Sequence, residues 1–306
     1  MIEPRVPIAP DVAELLPQLE PARRSSTEPD RQRADYRDYV TMFRQEPGDF
    51  TGTVVDEVVP SPEHDVPVRR YTPSDPRHRG HVLVYLHGGG WVLGDLDTHD
   101  AFPRLVAERT GLEVVSVGYR LAPEHPYPAP WNDCAAVVSH VGATAEWIAL
   151  CGDSAGGNLA ASIAATTSVD AQVLIYPGLA VPNSDDRSLD GRGLDRDDID
   201  YFWAVYRGDR TPDARLAPLL NPHPLSAPPT LLTTAGHDPL RPDGLEYVRR
   251  LAESDVAVTY LPHPNLVHGW LELADGVPSA RAARDEVIDA IAELHRRTTA
   301  HEVSRR

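Results

Sequence analysis

A chain of 306 residues, 41% of them hydrophobic, can bury a substantial core as one large α/β domain or two smaller ones. Its formal charge of −17 turns away nucleic acid and anionic membrane surfaces, and its lack of any lysine rules out a lysine Schiff base or a Walker-type phosphate loop. Two cysteines, Cys134 and Cys151, make neither a disulfide framework nor a metal-ligand spacing, and read as reduced core thiols.

The N-terminus, "MIEPRVPIAPDVAELLPQLEP", sets prolines and acids where a signal peptide needs a basic start and an apolar run. No apolar run reaches transmembrane length, so a cytoplasmic location is expected. Residues 1–50 are proline-rich and charged, and within them "RQRADYRDYVTMFRQ" repeats Tyr36, Tyr39, Val40 and Phe43 at helical spacing. This segment is expected to be a cap or arm rather than part of the core.

From Thr53 the texture changes. "TGTVVDEVV" and "VPVRRYT" alternate as strands; "HVLVYL", "EVVSVGY", "WIALCG", "AQVLIY", "PTLLTTAG" and "VAVTYLP" follow as short apolar runs of the kind buried strands need. Helices are predicted at roughly Trp131 to Val141, Ala155 to Thr166, Pro242 to Ser254 and Ala280 to Arg297. Strands alternating with helices predict a mostly parallel sheet, residues 51–306 forming one α/β domain. The rhythm breaks at about 180–210, where a polar loop precedes a helix carrying Ile199, Phe202, Trp203 and Tyr206 on one face. That segment reads as an insertion above the sheet.

Chemistry enters at "CGDSAGG", residues 151–157, where Ser154 stands between a predicted strand and a predicted helix. A serine on such a turn exposes its hydroxyl, and the helix N-terminus behind it offers N–H groups to a developing oxyanion. Upstream, "LHGGGWVLG" follows another strand, and three consecutive glycines let a loop turn backbone N–H groups inward. Without lysine and without Gly-x-Gly-x-x-Gly spacing, a phosphate cradle is a poor reading of that loop.

A serine nucleophile needs a histidine base oriented by a carboxylate, in the chain order Ser, Asp or Glu, His. "AGHDPLRPDG" places Asp238 just past a strand, and "LPHPNLVHGW" places His268 in a loop after the next. Asp243 competes with Asp238, and His263 or His237 with His268. Asp243 reads better as an acid in the first turn of a helix, and His263, flanked by prolines directly after a strand, as structural.

"HGGGW", "YRLAPEHPYPAP", "GDSAGGNLAA", "HDPLRPDG" and "HGW", in this order and spacing, resemble the hormone-sensitive-lipase-like family of α/β-hydrolases, also called bacterial esterase family IV. The resemblance runs from about Val54 to the final helix and implies an α/β-hydrolase fold: a mostly parallel central sheet flanked by helices, with a helical cap made of residues 1–50 and the insertion. It implies Ser154 as nucleophile, His268 as base and acid, Asp238 as the carboxylate that orients it, and an oxyanion hole built from the N–H groups of Gly88, Gly89, Gly90 and Ala155. Trp91, Phe202, Trp203 and Tyr206 are expected to line the substrate pocket. "RPDG" and "WNDC" depart from the family's usual runs without touching a proposed catalytic atom. "YRLAPEHPYPAP" reads as a structural path beneath the glycine loop.

The activity implied is a serine carboxylesterase acting on small esters of short acyl chains, with no metal and no organic cofactor needed. A pathway-specific acyl hydrolase, lactonase or acyltransferase would use the same triad. From other classes, the framework also serves a dehydratase-type lyase and ligand receptors that lose the catalytic histidine; here His268 stands with Gly269 beside it. Relatives often pair through the last strand, so a homodimer through residues 256–261 is expected.

Overall fold

The eight apolar runs pair into one sheet in a computed structural model that describes residues 6–18, 28–43, 50–183, 187–188, 192–222 and 225–303. The strands are β1 (Thr53–Val59), β2 (Val66–Thr72), β3 (His81–Leu86), β4 (Glu113–Val117), β5 (Trp147–Asp153), β6 (Ala171–Ile175), β7 (Thr230–His237) and β8 (Val258–Val267). Their order is β1-β2-β4-β3-β5-β6-β7-β8. Only β1–β2 and β2–β4 pair antiparallel; the other five contacts are parallel. Every residue of β5, β6 and β7 is buried, as strands covered on both faces require. The expected pairing segment, residues 256–261, runs into β8, which is one of the sheet's two edge strands.

The helices are α1 (Pro10–Ala13), α2 (Pro29–Phe43), α3 (Ala101–Thr110), α4 (Ala129–Gly142), α5 (Ala155–Ala164), α6 (Arg196–Arg207), α7 (Arg241–Glu253), α8 (Trp270–Leu273) and α9 (Pro278–Val303). Side chains alternate across the pleat: Leu83 and Tyr85 join one apolar cluster with α2, α3, α8 and α9, while Val82, Val84 and Leu86 join another with α4, α5 and α7. The predicted helices thus fall on both faces of the sheet. The sequence reading assigned no helix to α3. Pro103 stands in the first turn, where a missing N–H costs no helical bond.

Helix α2 corrects an expectation. Its Tyr36, Tyr39, Val40 and Phe43 are buried in the same cluster as Trp270 and Ile288, so this segment is part of the core. At about 1.5–3 kcal/mol for each buried side chain, the four contribute up to about 6–12 kcal/mol, a sum on the scale of a whole domain's net stability. Among the described residues no helix is long and apolar enough to cross a membrane.

Candidate active site

Strand β5 ends at Asp153 and α5 begins at Ala155, which leaves Ser154 to make the turn alone. It does so at φ 52° and ψ −115°, a conformation that costs a non-glycine residue on the order of 1–3 kcal/mol. The surroundings hold it there. The Ser154 N–H donates to the Ile175 carbonyl at 2.9 Å, and the Ser154 carbonyl accepts the Asn158 N–H at 3.1 Å. Close approach demands glycine next to the turn, because a Cβ on Gly156 would lie 1.9 Å from the Leu86 carbonyl oxygen.

The three residues expected to act together are in contact. The Ser154 hydroxyl lies 2.9 Å from His268 Nε2, and His268 Nδ1 lies 2.8 Å from Asp238 Oδ2. The other oxygen, Asp238 Oδ1, accepts the Leu240 N–H at 2.7 Å. A carboxylate can only accept from Nδ1, so the proton sits on Nδ1 and the Nε2 lone pair faces the hydroxyl. Ser154, Asp238 and His268 follow β5, β7 and β8 at their C-terminal ends, where a parallel sheet puts its ligand-facing loops. The His268 ring meets the edge of Tyr176 at 4.9 Å, and Tyr176 in turn meets Trp270 at 5.5 Å, which fixes the imidazole plane. Sequence reading missed Tyr176 as a site residue; its only mark is its place as the last residue of the run "AQVLIY".

The competitors are engaged elsewhere. His237 accepts from Arg192 through Nδ1 at 2.9 Å and donates to the Val6 carbonyl through Nε2 at 2.8 Å. His263 is buried against Trp270, its pKa pushed down to about 4 by burial, as a structural histidine would be. Asp243 stands in the first turn of α7, yet its Oδ2 accepts the N–H groups of both Leu179 and Ala180 at 2.9 Å and so anchors the chain after β6.

Burial pushes the Asp243 carboxyl up to about 6 from an ordinary 3.8. A raised folded-state pKa means that the buried charge costs most above pH 6, and that the cost fades as pH falls toward 4. Two pKa units correspond to on the order of 3 kcal/mol. Asp243→Asn keeps an acceptor at the Oδ2 position without the charge. The variant is expected to melt several degrees above the wild type at pH 7–8, with the gap closing by pH 4.5 in thermal melts. A gap independent of pH would assign the difference to packing.

The glycine loop after β3 faces Ser154, and its hydrogen bonds decide which N–H groups are open. The Gly88 N–H donates to Asp153 Oδ1 at 3.0 Å, alongside the Tyr85 hydroxyl at 2.6 Å. Gly88, expected among the oxyanion donors, is therefore a fastening point, and among the described residues the N–H groups of Gly89, Gly90 and Ala155 have no acceptor. Ala155 opens α5, where the first N–H groups have no intrahelical acceptor. Asp153 is fully buried and burial pushes its pKa up, so its bonds from Tyr85 and Gly88 are what make it tolerable there. Its signal was present in the motif, directly before the serine, but its partner Gly88 lies 65 residues away.

Beneath the loop, Ala122 N–H donates to the Trp91 carbonyl at 2.9 Å and the Tyr119 hydroxyl to the His87 carbonyl at 2.7 Å, so "YRLAPEHPYPAP" supports the loop as expected. The "WNDC" departure supplies Asp133, which accepts from the Arg120 N–H and from its guanidinium, at 2.9 and 2.7 Å. Cys151 and Cys134 are buried, free thiols whose pKa burial pushes up.

A cavity of about 590 Å³ opens over Ser154, within the range of small-molecule sites. Trp91, Phe202 and Trp203 line it. Tyr206 does not: it is fully buried, its ring stacked on Trp91 at 4.2 Å and 7°. One helical turn below Trp203, it props the pocket wall from behind. Phe202 crowds the loop so closely that a Cβ on Gly90 would fall 2.4 Å from its ring. Gln32, Tyr36 and Tyr39 of α2 form the facing wall, and Tyr201 of α6 donates to Gln32 Oε1 at 2.9 Å across the top. These α2 residues were missed as pocket residues, since a helical apolar stripe does not say which of its members meets empty space.

The profile of a family described as alpha/beta hydrolase fold matches residues 83–272. The chain is similar to carboxylesterase NlhH of Mycobacterium tuberculosis, with 41% identity over 249 residues covering 74% of this chain and 78% of that one. It is similar to the carboxylic ester hydrolase LipN of the same organism, with 37% identity over 262 residues covering 78% of this chain and 69% of that one. Among solved structures, DphMB1 superposes with a TM-score of 0.85 at 34% identity, covering 95% of this chain and 100% of that one.

Proposed function

The chain belongs to the hormone-sensitive-lipase-like group of the α/β-hydrolase fold family, and from that premise we propose that it is a serine carboxylesterase working through an acyl-enzyme on Ser154. The observation that carries this reading is the continuous relay from Ser154 through His268 to Asp238, with Ser154 at the wall of the cavity. As the Ser154 oxygen attacks the ester carbonyl, its proton passes to His268 Nε2. Asp238 stabilises the imidazolium, and the carbonyl oxygen becomes an oxyanion. The N–H groups of Gly89, Gly90 and Ala155 are the donors available to that oxyanion. Each such donor is worth roughly 3–4 kcal/mol in the transition state.

Collapse of the tetrahedral intermediate breaks the bond to the alcohol, which leaves with the proton from His268. Water then enters, gives its proton to His268, adds to the acyl carbonyl and releases the acid, which returns Ser154 to its hydroxyl form. No electron donor or cofactor enters this balance.

The reading includes a preference for short acyl chains. Acyl and alcohol groups must share about 590 Å³ between α2 and α6. Hydrolysis of 4-nitrophenyl acetate, butyrate and octanoate tests both parts. We expect turnover of the first two and a kcat/KM for octanoate lower by about tenfold or more. A folded protein inert toward all three would overturn the esterase reading, and a rate rising through octanoate would overturn the short-chain preference alone.

A further inference from the structure

At the end of the sheet opposite Ser154, three histidines converge that the ester chemistry does not use. His78 and His81 bracket the turn leading into β3, which the His81 N–H closes onto the His78 carbonyl at 3.2 Å, and His295 arrives from α9. One ring nitrogen from each lies within 4.8 Å of the other two. His81 Nδ1 and His295 Nε2 are 2.7 Å apart, close enough to share one proton. The His78 and His295 rings have centroids 4.3 Å apart. His295 is buried, with the Trp147 ring standing at 90° to it at 4.7 Å, and the Trp147 indole N–H is tied to Thr298 at 3.0 Å. His78 and His81 are half-buried, which leaves one side of the cluster facing water. Among the described residues, no carboxylate pairs with any of the three rings.

We propose that His78, His81 and His295 form a binding site for one zinc-class divalent cation, with the fourth position turned to solvent. Three imidazole nitrogens and no carboxylate suit zinc, copper(II) or nickel(II), and suit magnesium or calcium poorly. Tetrahedral zinc at 2.0–2.1 Å sets its nitrogen ligands about 3.3 Å apart. Closure therefore opens the His81–His295 pair by roughly half an ångström as their shared proton leaves, and swings His78 inward on a half-exposed turn. The result is a clamp between residues 214 apart in sequence, joining α9 to the start of β3. Strand β3 separates this clamp from the glycine loop by six residues, about 20 Å, so the cation acts on stability and not on ester chemistry.

The test uses the untagged full chain, stripped with a chelator, dialysed and titrated with zinc chloride by calorimetry, with melting temperature read in parallel. One zinc per chain at micromolar concentration and a rise in melting temperature are expected. His78→Ala and His295→Gln should each weaken binding at least tenfold and cancel the rise, while ester turnover stays within about twofold of the wild type. If His295→Gln fails to fold, His78→Ala on the half-exposed turn decides alone. Absence of saturable zinc binding, or binding that His78→Ala leaves unchanged, overturns the proposal.

Discussion

Ser154→Ala is expected to lower kcat for 4-nitrophenyl butyrate by about 10⁴–10⁶-fold while the melting temperature stays within a degree or two of the wild type. The large effect follows from the geometry: the Ser154 hydroxyl is the group His268 Nε2 faces at 2.9 Å, so nothing else stands ready to take the acyl group. The small effect on stability follows from the backbone. Alanine at φ 52° bears the same strain as serine, and the two main-chain bonds to Ile175 and Asn158 remain. Purified variant and wild type would be compared by initial rates and by thermal melts on one preparation. Residual turnover above about one part in a hundred would point to direct attack by a water that His268 activates, and the acyl-enzyme would have to be abandoned.

Asp238→Asn should cost about 10⁴-fold in kcat, for a reason that lies in the Leu240 N–H. That donor holds an acceptor at the Oδ1 position at 2.7 Å, so the amide oxygen of asparagine settles there and its NH₂ turns toward His268. Nδ1 must then accept, which moves the ring proton to Nε2. His268 would donate to the Ser154 hydroxyl and could no longer take its proton. Rates measured against pH separate this from simple loss of a charge. The wrong tautomer recovers as hydroxide replaces the general base, so activity climbs with pH well past neutrality instead of reaching a plateau. A plateau at neutral pH with less than a tenfold loss would mean that the imidazole keeps its orientation without Asp238.

The sheet was legible because a parallel sheet covered on both faces imposes a simple demand: every residue of β5, β6 and β7 is buried, and buried strands must be short apolar runs. Ser154, Asp238 and His268 were legible because chain order and strand ends constrain them together. What stayed hidden depends on contacts far apart in sequence. The commitment of the Gly88 N–H to Asp153 and the bond from Tyr201 to Gln32 leave no local trace, the latter spanning 169 residues. Trp203 and Tyr206 share one helix face, and only the position of Trp91 decides that the first meets the cavity and the second does not. Helix α3 was not assigned from sequence; its Pro103 stands in the first turn, where proline is compatible with a helix.

The double duty of α2 limits how this protein can change over evolutionary time. Its fifteen residues both frame the cavity, through Gln32, Tyr36 and Tyr39, and anchor a core cluster, through Val40 and Phe43. Where a gate is a detachable module, a lineage can exchange it and sample new substrates with the scaffold undisturbed. Here a mutation that reshapes that wall also draws down the margin against unfolding, so most neutral drift is closed to it. Helix α6 is the freer route: Phe202 and Trp203 meet the cavity while only partly buried, and Tyr206 alone on that helix is locked in place. Innovation in substrate range should therefore accumulate on one wall of the pocket and leave the other nearly frozen.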